Sequence, residues 1–234
     1  MKQEICCVIP ARGGSKRIPR KNIRNFGGKP MIAYSISAAL GAAIFDSILV
    51  STDDQEIAEI SIKLGASVPK LRDLDLSTDF TPTLSVIQDA IKMLNLENSP
   101  DSIVMCLYPT SVHVRESDIL DGIRMFKEQK GCKPLLTLIE YSHPIARAFL
   151  QHDGEYSPIN PEIMDSRTQD LPRNWYDAGQ FYIAKVSDWI SEQGPKAPFI
   201  AKIFESHEVS DIDTVEDFER SELLLEIQTK LGLK

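Results

Sequence analysis

Apolar residues in this chain fall into short dense runs separated by stretches with helical spacing. The runs Ile5 to Ile9, Ile48 to Ser51, Ile103 to Tyr108 and Leu135 to Ile139 have the length of strands covered on both faces. Between them, Ile32, Ile36, Ala39 and Leu40 share one helical face; Ile57, Ile60 and Leu64 share a second, stopped by Gly65; Leu84, Ile87, Ile91 and Leu94 share a third. Thr81 is the expected N-cap of that third helix, with Pro82 at its first position. Ser117 is expected to open a fourth, with Ile119, Ile123 and Phe126 inward. Strands alternating with helices predict an α/β fold built on a mostly parallel, doubly covered sheet.

From Tyr141 to Trp175 the pattern gives way to a polar stretch rich in Pro, Asp and Arg, with extended pieces around Ala148 to Leu150. It is expected to be an insertion in a single domain of 234 residues, serving as a lid or an oligomer contact. A strand at Gln180 to Ala184 returns the chain to the core, and Asp213 to Ile227 reads as a C-terminal helix carrying Val215, Phe218 and Leu225.

Composition narrows the partners. The net charge is −8, which argues against a general nucleic-acid or anionic-membrane binder, because sequence-independent affinity for phosphate backbones needs a broad positive field. No apolar run is long enough to span a bilayer, and the chain enters a strand without a charged-then-apolar leader, so a cytoplasmic location is expected. Cys6, Cys7, Cys106 and Cys132 show no metal-ligand spacing and are expected to be buried reduced thiols; His113, His143, His152 and His207 are scattered.

Against this acidic background, Asp and Glu are absent between Glu4 and Asp46, while Arg12, Lys16, Arg17, Arg20 and Lys21 crowd the segment after the first strand. Gly13 and Gly14 let a backbone approach a ligand, and the five cations are charge-assisted donors suited to phosphate oxygens. In open α/β sheets ligands bind at the carboxyl ends of strands, where this loop lies. A nucleoside triphosphate is the expected ligand. The spacing is neither G-x-x-x-x-G-K-[ST] nor G-x-G-x-x-G, which disfavours a P-loop kinase and a nicotinamide enzyme.

Two acidic segments have competing readings. Asp211 and Asp213, alternate residues on an extended stretch, point the same way and offer hard oxygen ligands to Mg²⁺. Asp213-Thr214-Val215-Glu216 also matches an N-cap with a capping-box glutamate. Asp53, before Asp54-Gln55-Glu56, is read as a cap of the second helix. Ser77, close to the start of the third helix, is the expected nucleotide contact of its segment.

The segment Pro10-Ala11-Arg12-Gly13-Gly14-Ser15-Lys16-Arg17-Ile18-Pro19-Arg20-Lys21-Asn22 resembles the signature of the sugar-acid cytidylyltransferases. Four further segments agree in order: Ser51-Thr52-Asp53, Leu76-Ser77-Thr78-Asp79, Tyr108-Pro109-Thr110-Ser111 and Asp211-Ile212-Asp213-Thr214. Asp177-Ala178-Gly179-Gln180-Phe181-Tyr182, with Arg167-Thr168-Gln169-Asp170-Leu171 upstream, is most similar to the members acting on pseudaminic acid. Tyr108 stands where the neuraminate enzymes usually carry glutamine, and Val112-His113-Val114 departs from the usual continuation and is expected to shape the pocket wall.

The resemblance implies a nucleotide-diphospho-sugar transferase-like, Rossmann-like fold that joins CTP to a nine-carbon sugar acid with Mg²⁺, releasing pyrophosphate; the expected assembly is a homodimer. It implies that Arg12, Ser15, Lys16 and Lys21 hold the triphosphate, beside the backbone of Ala11 and Gly13, with Asn22 near the ribose or base. Arg12 and Lys21 would stabilise the reacting phosphates and Asp211 and Asp213 would bind the metal. For the sugar, Arg167 is the expected partner of the carboxylate, with Tyr108, Gln169, Tyr176, Asp177 and Gln180 around it. The rival readings are the same chemistry on neuraminate, legionaminate or Kdo, and a nucleotide-binding regulatory module without turnover.

Overall fold

A computed structural model describes residues 3–196 and 198–232. Its strands are β1 (Ile5–Pro10), β2 (Asn25–Phe26), β3 (Lys29–Pro30), β4 (Ser47–Ser51), β5 (Ile103–Leu107), β6 (Leu135–Glu140), β7 (Phe149–His152), β8 (Glu155–Pro158), β9 (Trp175–Lys185) and β10 (Ile200–Phe204). The helices are α1 (Ile32–Gly41), α2 (Gln55–Lys63), α3 (Thr83–Met93), α4 (Glu116–Glu128), α5 (Val186–Trp189) and α6 (Val215–Lys230).

Six strands form one sheet in the order β10-β6-β9-β5-β1-β4. All run the same way except β9, which is antiparallel to both β5 and β6. The insertion explains this reversal: it leaves the carboxyl edge of β6 and re-enters at that edge, so with no crossover to the opposite side β9 must run back. Trp175 therefore begins a strand rather than ending the insertion, and the strand expected at Gln180 to Ala184 is longer at both ends. The β6–β9 register shifts between Leu136 and Leu138. There the Thr137 hydroxyl accepts from the Gln180 and Phe181 N–H groups and donates to the Phe181 carbonyl, all at 3.3 Å.

Alternation along β1 divides the core. Cys7 and Ile9 face α1, α2 and α4 through Ile32, Ile36, Ile57, Ile119, Ile123 and Phe126. Cys6 and Val8 face α3 and α5 through Ile87, Ala90, Ile91 and Trp189. A third cluster joins Ile18, Phe26, Met31, Tyr34, Val112, Ile212, Phe218 and Leu225 at the carboxyl end of the sheet. Val112, His113 and Val114 belong to the packed interior rather than to a pocket wall, with His113 Nε2 2.7 Å from Ser221 Oγ and Nδ1 2.9 Å from Gln228 Oε1 of α6.

Several local expectations are revised. Thr81 does not cap α3: its hydroxyl accepts the Thr78 N–H in a preceding turn, and Pro82 takes the cap position. Leu40 and Val215 sit at the margins of their helical stripes and are substantially exposed, and Cys132 is an exposed free thiol. The expectations omit the edge strand β10, although Phe199-Ile200-Ala201-Lys202-Ile203-Phe204 is an apolar run of strand length, and omit the four-residue α5, which is too short to show a helical period. The insertion holds the β7–β8 hairpin, a two-stranded sheet of its own. Among the described residues no helix is long and apolar enough to cross a membrane.

Gly122 marks the tightest packing of α4 on the sheet. A Cβ there would lie 2.9 Å from the fully buried Phe181 ring and 3.2 Å from Ile183. Overpacking of about 1–3 kcal/mol should outweigh the gain of about 1 kcal/mol in helix propensity, so Gly122→Ala is expected to lower the denaturant midpoint without changing the slope of the transition.

Candidate active site

A cavity of about 710 Å³ opens at the carboxyl ends of β1 and β5. Arg12, Ser15, Lys16, Arg17, Lys21 and Asn22 line one side; Asp211 and Asp213 line another; Tyr108, Asp177 and Tyr182 form a third. This arrangement follows from two apolar anchors. Ile18, in the middle of the basic loop, and Ile212, between the two aspartates, are both fully buried in the third cluster. With Ile18 and Ile212 buried there, the polar residues beside them are left to face the opening.

The basic loop and the acidic segment are also joined directly. Lys21 Nζ donates to the Ile212 carbonyl at 2.7 Å and lies 3.4 Å from Asp213 Oδ1, which Arg17 also approaches at 3.1 Å. Asn22 Nδ2 donates to the Arg12 carbonyl at 2.9 Å, tying the two ends of the loop. On the opposite wall Asp79 receives Arg12 at 2.5 Å on one oxygen and Lys16 at 2.5 Å on the other. Those two cations, Lys16 foremost, hold its carboxyl below the usual range. Asp79 thus occupies donors suited to phosphate.

Asp211 behaves differently. Partial burial against the cavity walls raises its pKa above the usual carboxylate value although the residue keeps substantial solvent exposure; the like charge of Asp213 adds to the shift and Lys21 opposes it. Asp213 does not cap α6. Thr214 is the cap, accepting the Asp217 N–H at 3.1 Å while Asp217 reaches back to the Thr214 N–H at 2.9 Å. The capping reading of Asp213 is thereby removed, and both aspartates are free of helix duty. Among the described residues no group of three or more acidic, His or Cys side chains is arranged to cage a metal. Two neighbouring hard carboxylates beside the basic loop have the donor chemistry that suits a divalent cation held through one or two carboxylates together with the oxygens of an anionic ligand.

Other expected residues are placed elsewhere. Asp53 is not the cap of α2; Asp54 is, accepting the Ile57 N–H at 3.0 Å, while Asp53 accepts the Gly13 N–H at 2.9 Å. Ala11 and Gly13 lie behind the cavity rather than on its wall, since Ala11 is fully buried and Gly13 packs on Asp54. Ser77 is likewise off the wall, because its hydroxyl accepts from Arg72 Nε at 3.1 Å. Gln180 is buried, with its Nε2 turned to the Ala178 carbonyl at 2.5 Å. Arg167 and Gln169 are exposed on the insertion, and Tyr176 faces a second cavity of about 630 Å³ on the far side of Asp211 and Asp213.

Sequence reasoning missed Arg72 and chose neither Thr83, beside Ser77 at the start of the third helix, nor Tyr182, in the Asp177 to Tyr182 segment, as a site residue; all three line the main cavity. Arg72 is buried against the Ser51 carbonyl (3.2 Å), Ser77 and, at 3.8 Å, Asp53; burial lowers its pKa, with Asp53 and Asp89 opposing. Its only sequence signal is a cation, one of two with Lys70, in the run ahead of Leu76-Ser77-Thr78-Asp79. Tyr182 donates to Asp177 and packs edge-on against Tyr108, 5.6 Å between ring centres, and the Tyr108 hydroxyl lies 3.2 Å from Thr83 Oγ1. Burial raises the pKa of both phenols, so they stay neutral donors.

Residues 6–153 match the family model described as cytidylyltransferase. The chain is 39% identical over 223 residues to the pseudaminic acid cytidylyltransferase of Campylobacter jejuni, covering 94% of this chain and 96% of that one. It belongs to the cytidylyltransferase family. A second relative, the CMP-N,N'-diacetyllegionaminic acid synthase of Legionella pneumophila, is 32% identical over 230 residues, covering 95% and 97%. In fold the chain is similar to a CMP:2-keto-3-deoxy-manno-octonic acid synthetase solved with CTP, with TM-score 0.72 at 16% identity over 97% of this chain and 100% of the other. The cytidylyltransferase is accordingly a nucleotidyl-transferring enzyme on a mostly parallel α/β sheet.

A raised native pKa means that Asp211 favours folding when protonated, and that this contribution is lost as pH rises through its native pKa. Asp211→Asn is therefore expected to melt above the parental cytidylyltransferase at pH 7. The difference should shrink as pH falls through the carboxylate range, read by thermal denaturation at several pH values. A variant that melts lower at pH 7 would contradict the origin assigned to the shift.

Proposed function

We propose that this cytidylyltransferase transfers CMP from CTP to the anomeric hydroxyl of a nonulosonic acid, pseudaminic acid in particular, and releases pyrophosphate. The observation that carries the reading is the meeting of the basic loop and the Asp211–Asp213 pair across one cavity, in a chain 39% identical to a pseudaminic acid cytidylyltransferase over nearly its whole length.

Arg12 and Lys16 exchange Asp79 for phosphate oxygens when CTP binds, and Lys21 meets the charge that develops as the bond from the α-phosphorus to pyrophosphate breaks. Such transfers depend mainly on alignment and on fixed charges aimed at the reacting group. Asp211 and Asp213 would hold the divalent cation, which would supply charge neutralisation and orientation of the triphosphate. Asn22 lies toward the ribose or base. Tyr108, Asp177 and Tyr182 present hydroxyl and carboxylate groups on the wall assigned to the sugar.

The sugar assignment favours pseudaminic acid because Tyr108 replaces the glutamine usual in the neuraminate enzymes. The edge-on Tyr108 and Tyr182 rings put apolar surface on that wall, which suits the apolar methyl terminus of pseudaminic acid. We also assign the β7–β8 hairpin to a homodimer interface. An isolated two-stranded sheet is marginal in water, and Phe149, Leu150 and Tyr156 are 54%, 63% and 69% exposed on it.

Pyrophosphate release from CTP, ATP, GTP and UTP across a panel of nonulosonic acids tests the reading. CTP with pseudaminic acid should give the highest kcat/KM, and chelation of divalent cations should abolish turnover. Equal rates with ATP would overturn the nucleotide; equal efficiency with N-acetylneuraminate or a legionaminic acid would overturn the sugar and leave the chemistry standing.

Lys21→Ala and Arg12→Ala should each lower turnover by about a hundredfold or more while the protein stays folded. Near-normal turnover in either variant, with native circular dichroism, would return that side chain to the solvated surface.

A further inference from the structure

Of the five cations in the basic loop, Arg20 does not line the cavity. Its backbone sits in the left-handed region, φ 57° and ψ 30°, which is unfavourable for a residue bearing a Cβ. The turn has a consequence for its neighbours. The Arg20 carbonyl accepts from the Ile23 and Arg24 N–H groups at 3.0 and 2.9 Å, opening the short turn that carries Lys21 and Asn22 toward the cavity.

The guanidinium is held by the first turn of α2. Both its Nη atoms donate to Asp54, Nη2 at 3.0 Å from Oδ1, and Nη2 also reaches Glu56 at 2.5 Å. Asp54 has two further contacts. It caps α2, and it lies so close to Gly13 that a Cβ there would fall 2.7 Å from Oδ2. The Gly13 N–H is bound by the adjacent Asp53 at 2.9 Å. Both ends of the loop are thus fixed to one point on the scaffold, away from the ligand side. A half-exposed ion pair contributes little to folding stability, but a pair that fixes a binding loop reduces the ordering required on binding.

We infer that Asp54 is a positioning residue for the nucleotide: by latching Arg20 in its left-handed turn, and backing Gly13, it presents Lys21 and Asn22 to CTP. The inference rests on the reading of the cavity as a CTP site.

Asp54→Asn retains an N-cap of equal quality and removes the charge that grips Arg20; Arg20→Ala removes the other half and leaves the cap untouched. Each should raise KM for CTP by about tenfold or more, with KM for the sugar acid within about twofold of parental and the melting temperature nearly unchanged. The double variant should be no worse than the single ones, because both break one interaction. A ligand-free readout accompanies the kinetics: tryptic cleavage after Arg17, followed by mass spectrometry, should be about tenfold faster in each variant as the loop comes loose.

An unchanged KM for CTP in the folded variants, with or without faster cleavage, would overturn the inference, as would effects that multiply in the double variant. If the parental enzyme shows no CTP-dependent turnover, the reading of the cavity fails instead, and unchanged cleavage rates would then still overturn the latch.

Discussion

The site depends on the burial of two isoleucines in one small apolar cluster. Ile18 comes from the middle of the basic loop and Ile212 from the middle of the acidic segment, nearly two hundred residues later in the chain, and both are sealed among Phe26, Val112 and Phe218. Fully burying an aliphatic side chain of this size contributes roughly 1.5–3 kcal/mol. That is enough to hold an otherwise polar loop against its own conformational entropy over a few residues. Phe26 reinforces the cluster through edge-on contacts with Tyr34 and Phe218 at 5.6 and 5.2 Å between ring centres.

Electrostatics then act on a geometry already set by packing. Five cations close together would repel, and each is matched: Arg12 and Lys16 by Asp79, Arg17 and Lys21 by Asp213, Arg20 by Asp54 and Glu56. The Asp79 and Asp213 partners line the same cavity as the cations they face, so the proposed triphosphate would replace one set of anionic oxygens by another. Asp211 stands apart, with a carboxyl made costly to ionise by the walls around it and by Asp213. Carboxylates held in this way are unfavourable for stability and useful for binding a cation, a common division between folding and function.

The antiparallel β9 gives the same edge of the sheet its third wall. Because the insertion returns to the edge it left, β9 begins at that edge and brings Asp177, Gly179 and Tyr182 to the cavity, while Tyr176 faces the second one. Gly179 makes the path close: it sits at φ 62°, and a Cβ there would lie 3.0 Å from Asp211 Cγ. The β9 wall and the acidic segment are therefore in close contact through the backbone, and a side chain at this position would push them apart.

Local pattern was sufficient for much of this. The apolar runs of β1, β4, β5 and β6, the stripes of α1 to α4, and an acid-free, cation-rich loop after the first strand are all properties of neighbouring residues; they marked the five cations of that loop as a group, the family resemblance singled out Arg12, Lys16 and Lys21 among them, and alternate spacing marked Asp211 and Asp213. The tertiary structure decided what depends on distant partners. The Thr214–Asp217 box that frees Asp213 is local, but the pairing of Asp53 with the Gly13 N–H, the recruitment of Arg72 by Ser51 and Asp53, and the withdrawal of Arg20 to Asp54 all turn on contacts between distant stretches of chain. So does the direction of β9, which depends on where the insertion returns. Charge and hydropathy mark which residues can bind an anion or a metal; only the packing of Ile18 and Ile212 into one cluster determines which of them face the same space.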